Sequence, residues 1–125
     1  MPTPKVPVTW RFDSCTSGLI TTAANGVATT TIAGVKGDIE GVFVDMGTST
    51  SAAVTVTSDK SAVVLNGPTV TADTFYPVRR NALTNDGSTA ITNSYIPYIN
   101  FGGDMTVAVA SGGDAKTLTV VIYFR

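Results

Sequence analysis

The chain has 125 residues, of which 43% are hydrophobic and only 14% charged, and its formal net charge is −1. This length suits one domain with its own core and is short for two. Because there is no basic excess to neutralise nucleic acid or to hold an anionic membrane, neither partner is expected. The apolar runs are too short to span a membrane, and no signal peptide is visible, so we expect a protein made in a reducing cytoplasm.

Most of the chain shows period-two alternation and many β-branched residues, which predicts strands and no amphipathic helix. Residues 1–7 are Pro-rich and are predicted to form an extended arm. An Asn25-Gly26 turn and a tight hairpin at Asp59-Lys60 punctuate the first half. Predicted strands lie at 8–12, 26–32, 37–46, 52–58, 61–66 and 72–78.

The last two predicted strands, 104–110 and 117–124, alternate most regularly. The loop 111–116 between them is predicted to close a hairpin, with Gly supplying the positive φ. It contains the second of two Gly-Gly-Asp tripeptides, at 102–104 and 112–114. A phosphate-binding loop leads into a helix, whereas a predicted strand follows each tripeptide here, so both are interpreted as turns.

The segment 79–95 has no β alternation and few large apolar residues. It predicts either a surface loop or a contact arm that orders against a neighbouring subunit. About eight short strands without helices predict an all-β fold, a single-domain β-sandwich or jelly roll over residues 8–125 with a long loop at 79–95. Trp10 is expected near an edge of the core, where its N–H can find a partner.

The residues offer little for catalysis. The chain has no histidine, which removes the commonest general base, the Ser-His-Asp arrangement and most catalytic zinc sites. Cys15 is the only cysteine and is predicted to be a small buried hydrophobe. Asp38 and Glu40 are expected on one solvated strand face, and the polar run 84–89 is only a weak calcium candidate. No catalytic, cofactor-binding or metal-binding residue is predicted, and the chain is not expected to be an enzyme.

Interaction residues are the better candidates. Arg79 and Arg80 begin the polar segment, either as solvated side chains or as an ion pair or anchor across a subunit interface. Tyr95, Tyr98 and Phe101 form either a strand that packs on the core or an exposed platform for a sugar or a protein. The candidate interface residues are Pro2, Pro4, Lys5, Pro7, Arg79, Arg80, Asn85, Asp86 and Tyr95.

The C-terminal half resembles a family of small structural proteins of tailed bacteriophages. That family ends in the pattern G-D-x-(I/V)-x-V-x-(V/I)-x-x-G-G-D-x-K-T-G-x-x-x-V, and Leu118 stands here where the family often has Gly. An early strand of the family, G-x-(I/V)-x-x-(I/V)-x-V, is similar to residues 37–46. The residues that match the terminal pattern, with one residue fewer here between the leading Gly-Asp and the Gly-Gly-Asp, are Gly103, Asp104, Val107, Val109, Gly112, Gly113, Asp114, Lys116 and Thr117.

The resemblance implies a capsid decoration (cement) protein of the virion, with a β-sandwich or jelly-roll fold and the major capsid protein as its partner. It further implies a homotrimer that clamps adjacent capsomers without nucleic acid, membrane or cofactor. Two alternatives stay open. One is a carbohydrate- or receptor-binding module such as a fibre head, in which Trp10, Tyr95 and Tyr98 stack on sugar rings. The other is a head–tail or tail component.

Overall fold

The computed structural model describes residues 13–83 and 86–125, so the predictions for residues 1–12, Trp10 among them, lie outside it. The described residues form eleven β-strands joined by turns and loops. They include no helix that is long and apolar enough to cross a membrane. The strands are β1 (Asp13–Thr21), β2 (Ala28–Ile32), β3 (Lys36–Asp45), β4 (Ala52–Thr57), β5 (Val63–Val70), β6 (Thr74–Pro77), β7 (Arg80–Leu83), β8 (Ala90–Ile96), β9 (Tyr98–Phe101), β10 (Met105–Ala110) and β11 (Thr117–Phe124).

Nine of these strands form two antiparallel sheets that bury one face each. The larger sheet has the order β1-β11-β3-β6, with β9 also paired to β3, and the smaller has the order β2-β10-β4-β5. The buried side chains of both sheets form one hydrophobic cluster. The prediction of an all-β sandwich is confirmed, with eleven strands in place of about eight.

The core consists of alternate residues of the regular strands. In β4, Val54 and Val56 are fully buried while the intervening threonines are half-buried. Strands β10 and β11 alternate in the same way, from Met105 and from Leu118 onwards. Burying each such side chain contributes about 1.5–3 kcal/mol to the stability of the fold. A strand with this alternation therefore packs its apolar face against the core.

One edge of the larger sheet is formed by β6 and β9, which lie end to end like the two halves of one interrupted strand. Strand β6 pairs with residues 41–44 of β3, and β9 pairs with residues 36–39. Glu40 lies opposite the gap, where its carbonyl accepts a hydrogen bond from the N–H of Val78 at 3.3 Å. Between the two pieces the chain leaves the sheet, forms β7 and β8, and returns. The segment between Val78 and Pro97 is therefore an insertion into an edge strand.

Strand β1 was not predicted from the sequence. It is an edge strand made mostly of small and polar residues, and of its nine residues only Ile20 is buried. Its pairing with β11 is interrupted by a bulge between Thr16 and Leu19. Backbone hydrogen bonds to one neighbouring strand hold β1 in place. Because such bonds do not require apolar residues at alternate positions, the sequence shows no alternation here.

The prediction of a hairpin at 111–116 is wrong. Strand β10 pairs with β2 and β4 in the smaller sheet, whereas β11 pairs with β1 and β3 in the larger sheet. The loop therefore crosses the sandwich, whose sheets pack about 10 Å apart, a span that six residues cover easily. The alternation of apolar residues shows which face of a strand is buried. It does not show whether two consecutive strands pair in one sheet or face each other across the sandwich, because the pattern is the same in both cases.

Candidate interaction surface

The predicted loop at 79–95 contains a β-hairpin, which corrects that prediction. Strands β7 and β8 pair with each other and with no other described strand. The pairs Arg80↔Ile96 and Asn81↔Tyr95 are followed by a register shift before Leu83↔Ala90. This irregularity, together with the positive φ of Asn93, breaks the alternation that would have revealed the strands.

The hairpin exposes apolar side chains. No described residue between Arg80 and Ile96 is buried. Tyr95 is 62% exposed, and Leu83, Ile91 and Ile96 are exposed as well. Large apolar side chains that lie exposed on one element, outside the core, make that element a candidate surface for contact with another molecule.

Three charged residues fix the base of the hairpin to the sheet. Arg79 Nη2 lies 2.9 Å from Glu40 Oε2, and Arg125 Nε lies 2.7 Å from Glu40 Oε1. The Glu40 side chain is only 10% exposed, which corrects its expected place on a solvated face. Arg79 is thus ion-paired within its own chain, while 44% of its side chain remains exposed. Glu40 occupies the gap between β6 and β9, so these contacts form where the inserted hairpin leaves the edge strand.

A cationic pocket lies where the hairpin meets β9 and the β4–β5 turn. Its volume is about 260 Å³, and its lining includes Lys60, Arg80, Tyr98 and Phe101. Arg80 Cζ lies 5.5 Å from the centre of the Tyr98 ring, and Lys60 Nζ lies 5.8 Å from that of Phe101. In residues 13–83 and 86–125, neither cation has a carboxylate partner. The pocket therefore combines aromatic surface with positive charge.

The first Gly-Gly-Asp tripeptide is a turn that polar side chains hold from inside. Asn100 is fully buried, and its amide nitrogen donates to the carbonyls of Val35 at 2.8 Å and Gly103 at 2.9 Å. Its oxygen accepts from the N–H of Asp59 at 2.8 Å. Asp59 Oδ2 in turn accepts from the N–H groups of Phe101 and Gly103, both at 2.9 Å. These hydrogen bonds hold the turn in place, so the tripeptide has a structural role.

The second tripeptide is anchored in the same manner at the other end of β10. The Gly112 N–H donates to the carbonyl of Gly26 at 2.9 Å, and Ser49 Oγ donates to the carbonyl of Gly112 at 2.9 Å. Gly26 has a φ of +76°, and a Cβ there would lie 2.9 Å from the Gly112 nitrogen. Two loops therefore pack backbone against backbone, and only glycine fits between them.

Of the candidate interface residues, the structure places three on the hairpin. Arg80 contacts Tyr98, Tyr95 is exposed on β8, and Asp86 Oδ1 accepts from the N–H and the hydroxyl of Ser88 at 3.0 and 2.7 Å. Arg79 lies at the base of the hairpin. Pro2, Pro4, Lys5, Pro7 and Asn85 lie outside the described residues.

Within the described ranges, no group of three acidic or cysteine side chains converges where it could hold a metal ion. The polar run 84–89 is described from Asp86 onwards, and there its carboxylate closes a local turn. Cys15 is half-buried and packs against the core, so it is less enclosed than predicted.

Sequence reasoning missed several surface residues that belong with the candidate site. Leu83, Ile91 and Ile96 were passed over because the segment around them is polar. The sequence around Lys60 indicates only a turn, so it gives no sign that Lys60 lines the cationic pocket. The β-branched content of residues 90–96 was the available signal, since Ile91, Thr92 and Ile96 favour extended backbone.

In comparisons with known proteins, the chain matches no protein-family model, no curated protein sequence and no solved structure.

Proposed function

We propose that this protein is a non-enzymatic structural protein of a bacteriophage particle. It acts as a decoration (cement) protein that binds the outside of the head and stabilises contacts between capsomers. Its partner is the major capsid protein, and it functions as a homotrimer on the virion after synthesis in the bacterial cytoplasm. The similarity of residues 37–46 and 98–123 to small phage structural proteins supports this.

We further propose that the sandwich is a jelly roll. Strands β1 and β3 lie in one sheet and β2 and β4 in the other, so successive strands alternate between the sheets. Strands β10 and β11 also divide between them. The orders β1-β11-β3-β6 and β2-β10-β4-β5 fit two interlocked Greek keys, an arrangement found in viral capsid proteins and in lectins.

The observation that carries the proposed function is the hairpin β7–β8. A two-stranded hairpin is marginally stable by itself in water, and this one buries none of its described residues. Its exposed side chains include Leu83, Ile91, Tyr95 and Ile96, and aromatic residues such as Tyr are enriched at protein interfaces. A partner that covers Leu83, Ile91 and Tyr95 gives these side chains the burial that their own chain does not supply.

We test this by co-sedimentation with empty heads assembled from the major capsid protein of the encoding phage. The wild-type chain is expected to sediment with the heads. The triple variant Leu83→Ser, Ile91→Ser, Tyr95→Ser is expected to remain in the supernatant, because it loses the apolar contact surface. A matched control carries Leu19→Ser and Val27→Ser, which change exposed apolar residues elsewhere; Leu19 is 71% exposed. The control is expected to bind like the wild type.

The possible outcomes test the decoration role and the hairpin contact surface separately. If the wild-type chain does not bind heads, the decoration role is wrong. If the triple variant binds as well as the wild type, the hairpin is not the contact surface, and the N-terminal residues 2–7 become the next segment to truncate.

The cationic pocket favours a second candidate, a carbohydrate-binding module. Aromatic rings beside unpaired cations suit a sugar that carries a carboxylate, because the ring stacks while the acid pairs with Lys60 or Arg80. Binding to acidic glycans on an array, without binding to heads, would support this candidate over the first. A head–tail or tail component shares the hairpin argument and predicts binding to tail structures instead of heads.

A further inference from the structure

The outer face of the larger sheet carries a second surface feature, a groove lined by aromatic residues. This aromatic groove is lined by Glu40, Phe43, Phe75, Pro77, Arg79 and Tyr123, and its volume is about 380 Å³. The Phe75 and Tyr123 rings meet edge to face, with centroids 6.0 Å apart. Phe75 is nevertheless 49% exposed, so the groove leaves a large aromatic surface uncovered.

Gly41 shapes the floor of the aromatic groove. It has no side chain, and the Phe75 ring lies across the space that a Cβ would occupy. At the rim, Glu40 and Arg79 pair with each other. An occupant that covers the aromatic rings therefore leaves neither of these two charges without a partner, which favours a segment that places apolar side chains against the rings.

The start of β1 lies in line with the aromatic groove. Ser14 pairs with Tyr123, Tyr123 with Gly41, and Gly41 with Pro77, so these four residues form one row across the sheet. Neighbouring strands lie about 4.8 Å apart, which puts Gly41 about 10 Å from β1. The twelve residues that precede β1 thus join the sheet two strands from the groove, and an extended chain of that length spans about 40 Å.

The composition of these twelve residues matches the groove. They include Pro2, Pro4 and Pro7 as well as Val6 and Trp10, and their two charged side chains are Lys5 and Arg11. Pro-rich segments bind aromatic-lined grooves because their extended conformation is preformed and little entropy is lost on docking. A segment tethered this close also binds at a high effective concentration, so even a weak contact is populated.

We propose that residues 1–12 fold back over β11 and occupy the aromatic groove of their own molecule. Proline rings and the Trp10 indole then cover Phe75 and Tyr123. The inference concerns the isolated chain and does not depend on the proposed function.

The test uses the fluorescence of Trp10, the only tryptophan in the chain. In the wild-type protein, acrylamide is expected to quench Trp10 much less than it quenches free N-acetyltryptophanamide. Phe75→Ala removes the groove wall, and quenching is expected to rise towards that of the free compound. The control Phe101→Ala removes an aromatic ring of the same sheet that is 61% exposed, and it is expected to leave quenching unchanged.

A second measurement avoids changing the groove. A nitroxide label at Pro2→Cys, in a chain that also carries Cys15→Ser, is expected to broaden the NMR ring signals of Phe75 and Tyr123 and to spare Phe101. The proposal is overturned if the label leaves the groove signals sharp, or if wild-type Trp10 is quenched like the free compound. It is also overturned if the protection disappears on dilution, because the occupant would then be the segment of a second copy.

Discussion

At the scale of single residues, Asn100 has the most closely defined environment. It is fully buried, yet both amide protons and the carbonyl oxygen have backbone partners in three different segments of the chain. Buried polar groups are tolerated when their hydrogen bonds are complete, and they are costly when one is lost. Asn100 therefore joins the β4–β5 turn, the start of β3 and the first Gly-Gly-Asp turn.

We predict that Asn100→Asp destabilises the fold. The substitution keeps the shape but turns an oxygen towards the carbonyl oxygens of Val35 and Gly103, so two hydrogen bonds are replaced by repulsion. The expected loss in the free energy of unfolding is about 2–4 kcal/mol, measured by urea denaturation at neutral pH.

The matched control for this prediction is Asn66→Asp, which makes the same chemical change at an exposed position of β5. It is expected to lie within about 0.5 kcal/mol of the wild type. Equal stabilities of the two variants would show that the hydrogen bonds of Asn100 are not important to the fold.

At the scale of strands, the sandwich and the hairpin differ in what holds them. The sandwich strands bury alternate side chains, whereas the hairpin rests on its own backbone pairs and on the ion pairs at its base. The points where the hairpin leaves and rejoins the edge strand lie opposite Gly41 and Ile39. These are two residues apart on β3, so the gap is about 7 Å.

We predict that the sandwich folds without the hairpin. Replacing residues 80–96 by a single glycine keeps Val78 and Arg79 and closes the gap between β6 and β9. The free energy of unfolding is expected to change by less than about 1 kcal/mol, because no buried side chain is removed. Circular dichroism during urea denaturation measures this, and a large loss would mean that the hairpin supports the core.

The same contrast explains which strands the sequence could predict. Strands β4, β10 and β11 were correctly placed because each buries alternate residues, and this burial selects a regular pattern. Strands β1, β7 and β8 were missed because backbone pairing alone forms them, and it imposes no hydrophobic period. The pairing of β11 with β3, and not with β10, was also beyond reach, because partner choice depends on contacts far apart in the chain.

Only part of the candidate site could be predicted from the sequence, because here too the sequence shows local signals and not long-range contacts. Arg79, Arg80 and Tyr95 could be identified from the sequence, because charged and aromatic residues next to an irregular segment are a local signal. The structure places Arg79 at the base of the hairpin and the other two on it. The partner of Arg79 could not be foreseen, because Glu40 is 39 residues earlier and reaches it only through the gap in the edge strand. The cationic pocket likewise joins Lys60 to residues from two other elements.

At the scale of the whole molecule, the chain has few charges, and its described surface exposes apolar side chains on the hairpin and in the aromatic groove. A trimer that associates through apolar contacts needs no charge pairs and should resist salt. We predict that size exclusion with light scattering gives three times the chain mass of 12.9 kDa, in low salt and in high salt alike. The triple hairpin variant is expected to elute at the same mass as the wild type, because the hairpin is assigned to the contact with the capsid. A wild-type monomer at every concentration would contradict the trimer.

The interruption of the edge strand has a consequence for protein engineering. Because the chain leaves and rejoins the edge strand opposite neighbouring residues of β3, the sandwich places little constraint on what lies between. Foreign peptides grafted between β7 and β8 would be carried outward on a short stalk, while the core beneath them stays unchanged. If the chain does coat a symmetric shell, each graft would be displayed in many regularly spaced copies, the arrangement sought in multivalent vaccine scaffolds.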